Sequence, residues 1–468
     1  LHDALPISIR RALMDAMDKV LADAPEKIED INNRREEFKR LAERLHPFEF
    51  AKRCPAAIRA FKFAAGDLQV ATWAHKVQTA LKTGKLVKAI DLLSDKPGYL
   101  IRSIDQIARN ASETQFDALL QALKDNSARV SGRVILSVIE HLDNRKEKAD
   151  VRLFVNKTGS GFAKSGAFPA LAVARVNRIQ KALWKELASR VQPIENLSID
   201  PKVATIAVPI SEKNKSEGFR VLSRGSTIAL DPAKNLLRFF VYWKQTSERT
   251  DYDLSVAFYD KDFTFIGQGS WTSLAGTGFA HSGDITSAPN GASEFINVDL
   301  TKIDSKIGYI VPTINIFSGE TFANCAESFF GFMSMSDAEK GKPFEPAAVQ
   351  MKFALRGDKK VGVPLVFART ESGFEAKWLD LYAKGSFWGN RVETTKFSTA
   401  LLAKSLVQRQ YLTCDRLLDL YRDKAAKIVT NPTKSTKGLT YIGFERPEGI
   451  PQDATVYTLD NLKSLIPA

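Results

Sequence analysis

The sequence predicts a multidomain α+β protein with an N-terminal α-helical region, a central antiparallel β-sandwich and a small C-terminal α/β segment. Three observations lead there. The chain has 468 residues, well beyond a typical domain of about 100–200 residues. Its first part repeats apolar residues at three- and four-residue spacing, the period of amphipathic helices. After Pro193 the texture changes to short alternating and β-branched runs divided by Gly, Pro and Asn, and no long helices intervene, which excludes a doubly wound sheet for that part.

Composition narrows the classes further. Hydrophobic residues make up 44% and charged residues 26%, which excludes a globally disordered or fibrous chain. No apolar run approaches the roughly 20 residues of a membrane-spanning helix, so no membrane insertion is expected. Cys54, Cys325 and Cys414 are widely spaced and form no CxxC pair. They therefore write neither a disulfide framework nor a zinc knuckle, and a reducing cytoplasm is the expected compartment. Lys and Arg total 67 against 54 acids, a net charge of +13, which biases the surface toward polyanions without marking a site.

The elements follow in order. Residues 1–8 read as non-native, because the stretch after Leu1 looks like a translated sequencing adapter; native sequence is expected to begin near Ile9, with an upstream portion missing. Residues 9–195 are predicted helical, with joints at His46-Pro47, Lys96-Pro97-Gly98 and Ser131-Gly132. Two helix–turn–helix units, 89–107 and 118–142, could stack as a solenoid or form an irregular helical domain. A small hairpin is expected at 151–168. Its GSGFAKSG run at 159–166 departs from a phosphate loop, since Ala163 stands where the pattern needs Gly before Lys164. Residues 196–388 are predicted as the sandwich, with strands at 203–208, 236–243, 251–259, 295–300, 307–316 and 329–333. Residues 389–468 return to helix beyond Trp388, over 401–407 and 412–426, then add short strands at 440–444 and 454–457 and a terminal helix.

The residues with chemistry lie in the sandwich region. In DYDLSVAF at 251–258 the strand period puts Tyr252, Leu254, Val256 and Phe258 on a core face and Asp251, Asp253 and Ser255 on the other, presenting oxygens. Two carboxylates in register repel unless a cation lies between them, and a hard cation such as Ca²⁺, which takes about six to eight oxygens, would serve. A solvated acidic face is the alternative. A second oxygen-rich segment runs from HSGD at 281–284 to Asn290-Gly291 and Ser293-Glu294.

These motifs bring the chain to a family. The region resembles the TerD domain of bacterial tellurite-resistance and stress-response proteins: LSRGSTIAL at 222–230 resembles its opening strand pair, DYDLS at 251–255 its DLDAS segment, and HSGD at 281–284 its HSGD loop. NVDLTKI at 297–303 and TINIFSGETFANC at 313–325 extend the match. RLHPFE at 44–49 and VSGRVILS at 130–137 resemble a subgroup with a long helical N-terminal region. The resemblance implies a Ca²⁺-binding β-sandwich with Asp251, Asp253, Asp284 and Glu294 as ligands. It also shows departures, since the family's GDGDDE loop reads NGASE at 290–294 and Ile285 follows HSGD, which implies a lost cation site and weaker affinity.

The function expected is that of a cytoplasmic TerD-like tellurite-resistance or stress-response protein. Its sandwich would bind calcium or another divalent cation and its helical region protein partners. The alternative is a basic nucleic-acid-binding protein without metal dependence, which clustering of Lys52, Arg53, Arg59, Lys62 and Lys76 on one helical face would favour. No enzyme is expected: the five histidines, His2, His46, His75, His141 and His281, form no HExxH or paired pattern, and no GxSxG occurs. His281, Ser282 and Asp284 share one turn, where adjacent residues do not usually reach one another in triad geometry.

Overall fold

The structure, a computed structural model, describes residues 5–155, 160–210, 218–219, 222–336, 348–385 and 392–468. The chain divides into two compact units, Leu1–Asn126 and Ser127–Ala468.

The first unit is helical: α1 (Ile7–Asp23), α2 (Arg35–Leu45), α3 (Pro55–Ala65), α4 (Trp73–Lys82), α5 (Leu86–Ser94), α6 (Pro97–Arg102), α7 (Ile104–Asn110) and α8 (Glu113–Asn126). Proline opens α3 and α6, where its fixed φ suits the first helical turn. Met14 of α1, Leu45 of α2 and Ile58 and Phe61 of α3 close a core around Phe50 and Cys54. Several expectations change. Helix α1 begins at Ile7, inside the stretch set aside as non-native, with Pro6 preceding it. The helix expected across 100–107 is two, α6 and α7, meeting at Ser103. Of the second repeat, α8 belongs to the first unit, and its partner helix over Gly132–Asp143 to the second. Lys52 and Arg53 precede α3, Arg59 and Lys62 lie on it, and Lys76 lies on α4. Arg53 is also engaged by Asp15 at 2.6 Å, so these cations do not share one helical face.

The second unit starts with α9 (Gly132–Asp143), the hairpin β1 (Ala149–Val155) and β2 (Gly161–Phe168), α10 (Val173–Arg190) and β3 (Ile194–Ile199). Of the GSGFAKSG run, Gly159 lies outside the described residues and the part from Gly161 is strand β2, not a loop leading into a helix. Thirteen strands follow: β4 (Gly218–Phe219), β5 (Thr227–Ala229), β6 (Leu236–Lys244), β7 (Asp251–Tyr259), β8 (Phe265–Gly269), β9 (Ala275–Gly276), β10 (Phe279–His281), β11 (Ala292–Asp299), β12 (Tyr309–Ser318), β13 (Glu327–Met335), β14 (Val349–Ala354), β15 (Val361–Thr370) and β16 (Gly373–Ala383). They form an antiparallel sandwich of a seven-stranded sheet, β4-β14-β13-β6-β11-β10-β9, and a six-stranded sheet, β5-β16-β15-β12-β7-β8. Aromatics fill the space between: Phe239 of β6 and Phe332 of β13 meet Phe367 of β15 at 5.3 and 5.1 Å, and Phe353 of β14 stands edge-on to Trp378 of β16 at 4.4 Å.

The six-stranded sheet is covered on its outer face as well. After the sandwich come α11 (Val392–Gln408), α12 (Cys414–Arg422), β17 (Ala425–Ile428), β18 (Leu439–Ile442) and β19 (Thr455–Tyr457). Leu402, Ala403 and Leu406 of α11, with Leu153, Val155 and Ala163 of the hairpin, pack on Ala257, Tyr259, Val311, Val363 and Leu381. The last strands build a parallel sheet in the order β17-β3-β18-β19. Its first strand precedes the sandwich and the other three follow it, so the sandwich is an insertion in a small α/β host. The expected sandwich border at 195/196 falls inside β3, and the border at 388/389 lies outside the described residues. The strand expected at 203–208 begins as a 3₁₀ turn, Pro201–Thr205, because Pro201 supplies no amide to a ladder. Past that turn the incoming chain is bonded to the outgoing one: Val208 N–H donates to Leu412 O at 2.8 Å and Cys414 N–H to Ile206 O at 2.7 Å.

Candidate metal centre

Strand β7 pairs with β12 along its whole length, but β8 pairs only with its Val256–Tyr259 half. The other half has an open edge, and side chains from the opposite sheet close it at Leu254. The Leu254 N–H donates to Glu294 Oε2 at 2.8 Å, and the Leu254 carbonyl accepts from His281 Nε2 at 3.0 Å. The second ring nitrogen, Nδ1, accepts from the Gly283 N–H at 3.0 Å, which places the imidazole proton on Nε2. Burial holds the His281 pKa below its ordinary value. The remaining Glu294 oxygen, Oε1, accepts from the Ile285 N–H at 3.0 Å. Burial pushes the Glu294 carboxyl up to about 8, against the pull of those two N–H donors.

These bonds bind the turn at 281–285 to the edge of β7. Gly283 has φ +115°, a conformation that side chains resist, and the turn it makes carries Asp284 to the strand. One carboxylate oxygen from each of Asp251, Asp253 and Asp284 then lies within 4.8 Å of the others. Asp251 and Asp253 are buried and Asp284 is exposed, so the cluster opens to solvent at the Asp284 side. The alternative of a solvated acidic face does not hold for the strand, since all nine residues of β7 are buried. The reason is the outer layer, whose helix α11 packs on Ala257 and Tyr259 of that same face.

Such burial leaves oxygen atoms unanswered. Asp251 Oδ1 has no hydrogen-bond partner. Burial, and then the Asp284 charge, push the Asp251 carboxyl up to about 6, while Arg249 opposes them. Arg249 itself is held by the carbonyl and hydroxyl of Thr286. Directly opposite Asp253 on β12 stands Asn315. It is buried, donates from Nδ2 to Thr313 Oγ1 at 3.3 Å, and leaves its Oδ1 without a partner. Three carboxylates are a hard, all-oxygen donor set, which fits a divalent cation of the Ca²⁺ type and offers nothing to a soft metal; the Asn315 oxygen, one strand over, belongs to the side-chain amide directly across from Asp253.

Glu294 stands beside this trio with both oxygens taken by backbone N–H groups. In the NGASE run, Asn290 is exposed, Gly291 turns the chain at φ +91°, and Ala292 and Ser293 pair with Trp243 and Tyr242 in the sheet. Sequence reasoning missed Asn315 and the edge-closing role of His281. The alternation in TINI at 313–316 could have paired Thr313 with Asn315 on one face, but nothing local sets them opposite Ser255 and Asp253. The approach to β7 is held by Glu320, whose oxygens accept from the N–H groups of Thr246, Ser247 and Glu248 at 2.8, 2.8 and 3.2 Å.

Over 32% of its length the chain is similar to the crystal structure of SCO6318 from Streptomyces coelicolor A3(2), of which it covers 90% at 10% identity and a TM-score of 0.28. That protein is a homologue of the telluride resistance protein TerD. A second solved structure, SAV2460, of unknown function, is matched over 32% of this chain and 91% of that one, at 15% identity and a TM-score of 0.26. No protein-family model and no curated protein matches the chain. No helix among the described residues is long and apolar enough to cross a membrane.

Proposed function

We propose that the sandwich is a TerD-like module that binds Ca²⁺, or another hard divalent cation, through Asp251, Asp253 and Asp284. It serves a cytoplasmic tellurite-resistance or stress-response protein whose helical region docks protein partners. The observation that carries the cation reading is the convergence of three carboxylates within 4.8 Å, two of them buried. The motif resemblance supports it, because DYDLS supplies Asp251 and Asp253 and HSGD supplies Asp284. Glu294 acts as a positioning residue that ties Leu254 and Ile285 together beside the carboxylates that would hold the ion. Three carboxylates leave about three to five of the oxygens Ca²⁺ requires to carbonyls and water, which sets the affinity near 10⁻⁵–10⁻³ M. The protein binds rather than catalyses: His281, the imidazole nearest the carboxylates, has both nitrogens occupied by backbone.

Calorimetric titration of the full chain with CaCl₂ tests this, with an Asp251→Asn/Asp253→Asn variant as control. The expected result is a binding heat that disappears in the variant while its thermal unfolding stays cooperative. A Mg²⁺ titration should be weaker, since Mg²⁺ demands tighter octahedral geometry. No heat at about millimolar Ca²⁺ would overturn the reading and leave the sandwich as a scaffold.

A further inference from the structure

The hairpin β1–β2 has two unlike faces. One packs Val151, Leu153, Val155 and Ala163 toward α11 and the six-stranded sheet. The other is turned outward. There Phe154 and Phe162, paired in register, are 45% and 62% exposed, and their rings stack at 5.2 Å and 18°. Next along the ribbon Arg152 stands directly opposite Lys164. Beyond them the Arg152 guanidinium lies over the Phe168 ring at 4.3 Å. Asp150, where the register of the hairpin breaks, is bonded to Lys404 at 2.9 Å.

As a cross-strand aromatic pair Phe154 and Phe162 stabilise the hairpin only slightly, and much of their surface stays in water. Exposed phenylalanines gain little from burial, and like charges directly opposite each other on a sheet are destabilising. The two together match one kind of ligand. Solvent-exposed aromatic rings stack on unpaired bases, here through the ring faces that the Phe154–Phe162 pair leaves open, and flanking cations hold the phosphates between them. A cleft of about 540 Å³ opens beside Phe154, lined by Arg145, Lys148, Arg152 and Arg409 and by the acids Asp143, Glu147 and Asp150. Arg409 is paired with Glu140 and Arg145 donates to the Pro169 carbonyl, which leaves Lys148 and Arg152 as its cations nearest the aromatic pair. Of the acids bordering it, Asp143 is already met by Lys146 and Arg416. The chain's net charge of +13 adds a long-range bias of the same sign.

We infer that the outer face of the β1–β2 hairpin binds single-stranded nucleic acid, with Phe154 and Phe162 stacking on bases and Arg152 and Lys164 contacting the backbone. Duplex nucleic acid hides its base faces and is a poor ligand for this platform. The site is separate from the carboxylate cluster and needs no cation.

The test is fluorescence anisotropy of the full chain with labelled oligo-dT and oligo-U of about 12 nucleotides, within the usual span of such platforms. Both strands should bind, since stacking is tolerant of base and sugar. Raising salt from about 50 to 200 mM should weaken binding roughly tenfold, as expected for two to three phosphate contacts. Phe154→Ala/Phe162→Ala should lose about 10- to 100-fold in affinity. Phe154→Tyr/Phe162→Tyr, which keeps the rings, should bind as the parent does. Lys164→Glu should weaken binding and flatten its salt dependence. EDTA should leave all of these values unchanged. The inference is overturned if the alanine variant binds like the parent, if duplex of equal length competes equally well, or if only anionic phosphatidylserine vesicles bind.

Discussion

Burial and the Asp284 charge lift the Asp251 carboxyl to about 6, so a proton and a cation compete for it just below neutrality. The folded-state pKa lies above the ordinary Asp value, so the ionised group destabilises the cation-free fold at neutral pH. That cost is relieved as pH falls through about 6. Bound Ca²⁺ relieves it in the other way, by neutralising the charge. Calcium affinity should therefore be about tenfold weaker at pH ~5 than at pH ~7.5, a difference that titrations at the two pH values resolve; equal affinities would remove Asp251 from the ligand set. Glu320 has the opposite sign. Burial raises its carboxyl, but the N–H groups of Thr246, Ser247 and Glu248 outweigh that and bring it down to about 2. Its stabilisation is present above the unfolded carboxyl pKa of ~4.5 and disappears as pH falls toward ~2. Glu320→Ala should cost about 2 kcal/mol in urea unfolding at pH 7, and less below pH ~3. At this scale the acidic cluster was legible because the strand period puts Asp251 and Asp253 on one face and HSGD contains the turn-forming Gly283. Asn315 and the edge bonds of His281 were not, because both depend on cross-strand neighbours that no local pattern specifies.

The turn that delivers Asp284 is a single conformational choice. A Cβ on Gly283 would meet nothing within 4 Å, yet its φ is +115°, so Gly283→Ala carries a purely backbone cost of about 1–3 kcal/mol. The expected outcome is a lowered melting temperature together with weakened Ca²⁺ binding. Helix α11 matters through packing instead. Leu406 is fully buried against the outer face of the six-stranded sheet, and Leu406→Ala should cost about 2–5 kcal/mol by denaturant titration; a cost below ~1 kcal/mol would mean that α11 is not a true third layer. The sandwich strands were legible because alternation and turn residues bracket them. The outer layer was not: β7 reads as half-exposed until a helix more than a hundred residues downstream covers Ala257 and Tyr259. The short parallel sheet was legible only as a small C-terminal α/β segment, since β3 and the other three strands of the sheet stand on opposite sides of the sandwich in sequence.

In the whole molecule that separation makes the C-terminal strands essential to a segment far upstream. Strand β3 lies between β17 and β18, so deleting residues 425–468 strips it of both neighbours and bares Leu197, which is fully buried in the intact chain. The truncated protein should bind a hydrophobic dye and lose an early part of its thermal transition, while calcium binding by the sandwich persists. During synthesis the same arrangement sets a schedule. From Ile199 to Ala425 is 226 residues (425 − 199), which takes about 10–45 s at roughly 5–20 residues per second. Throughout that interval β3 has no partner to pair with, whereas every strand of the sandwich finds its neighbours within the insertion. Once the sandwich has closed and Ile206–Val208 is bonded to Leu412–Cys414, the long loop that β3 must span is already drawn shut. Folding of the insertion thus removes most of the loop-closure entropy that would otherwise oppose completion of the host sheet.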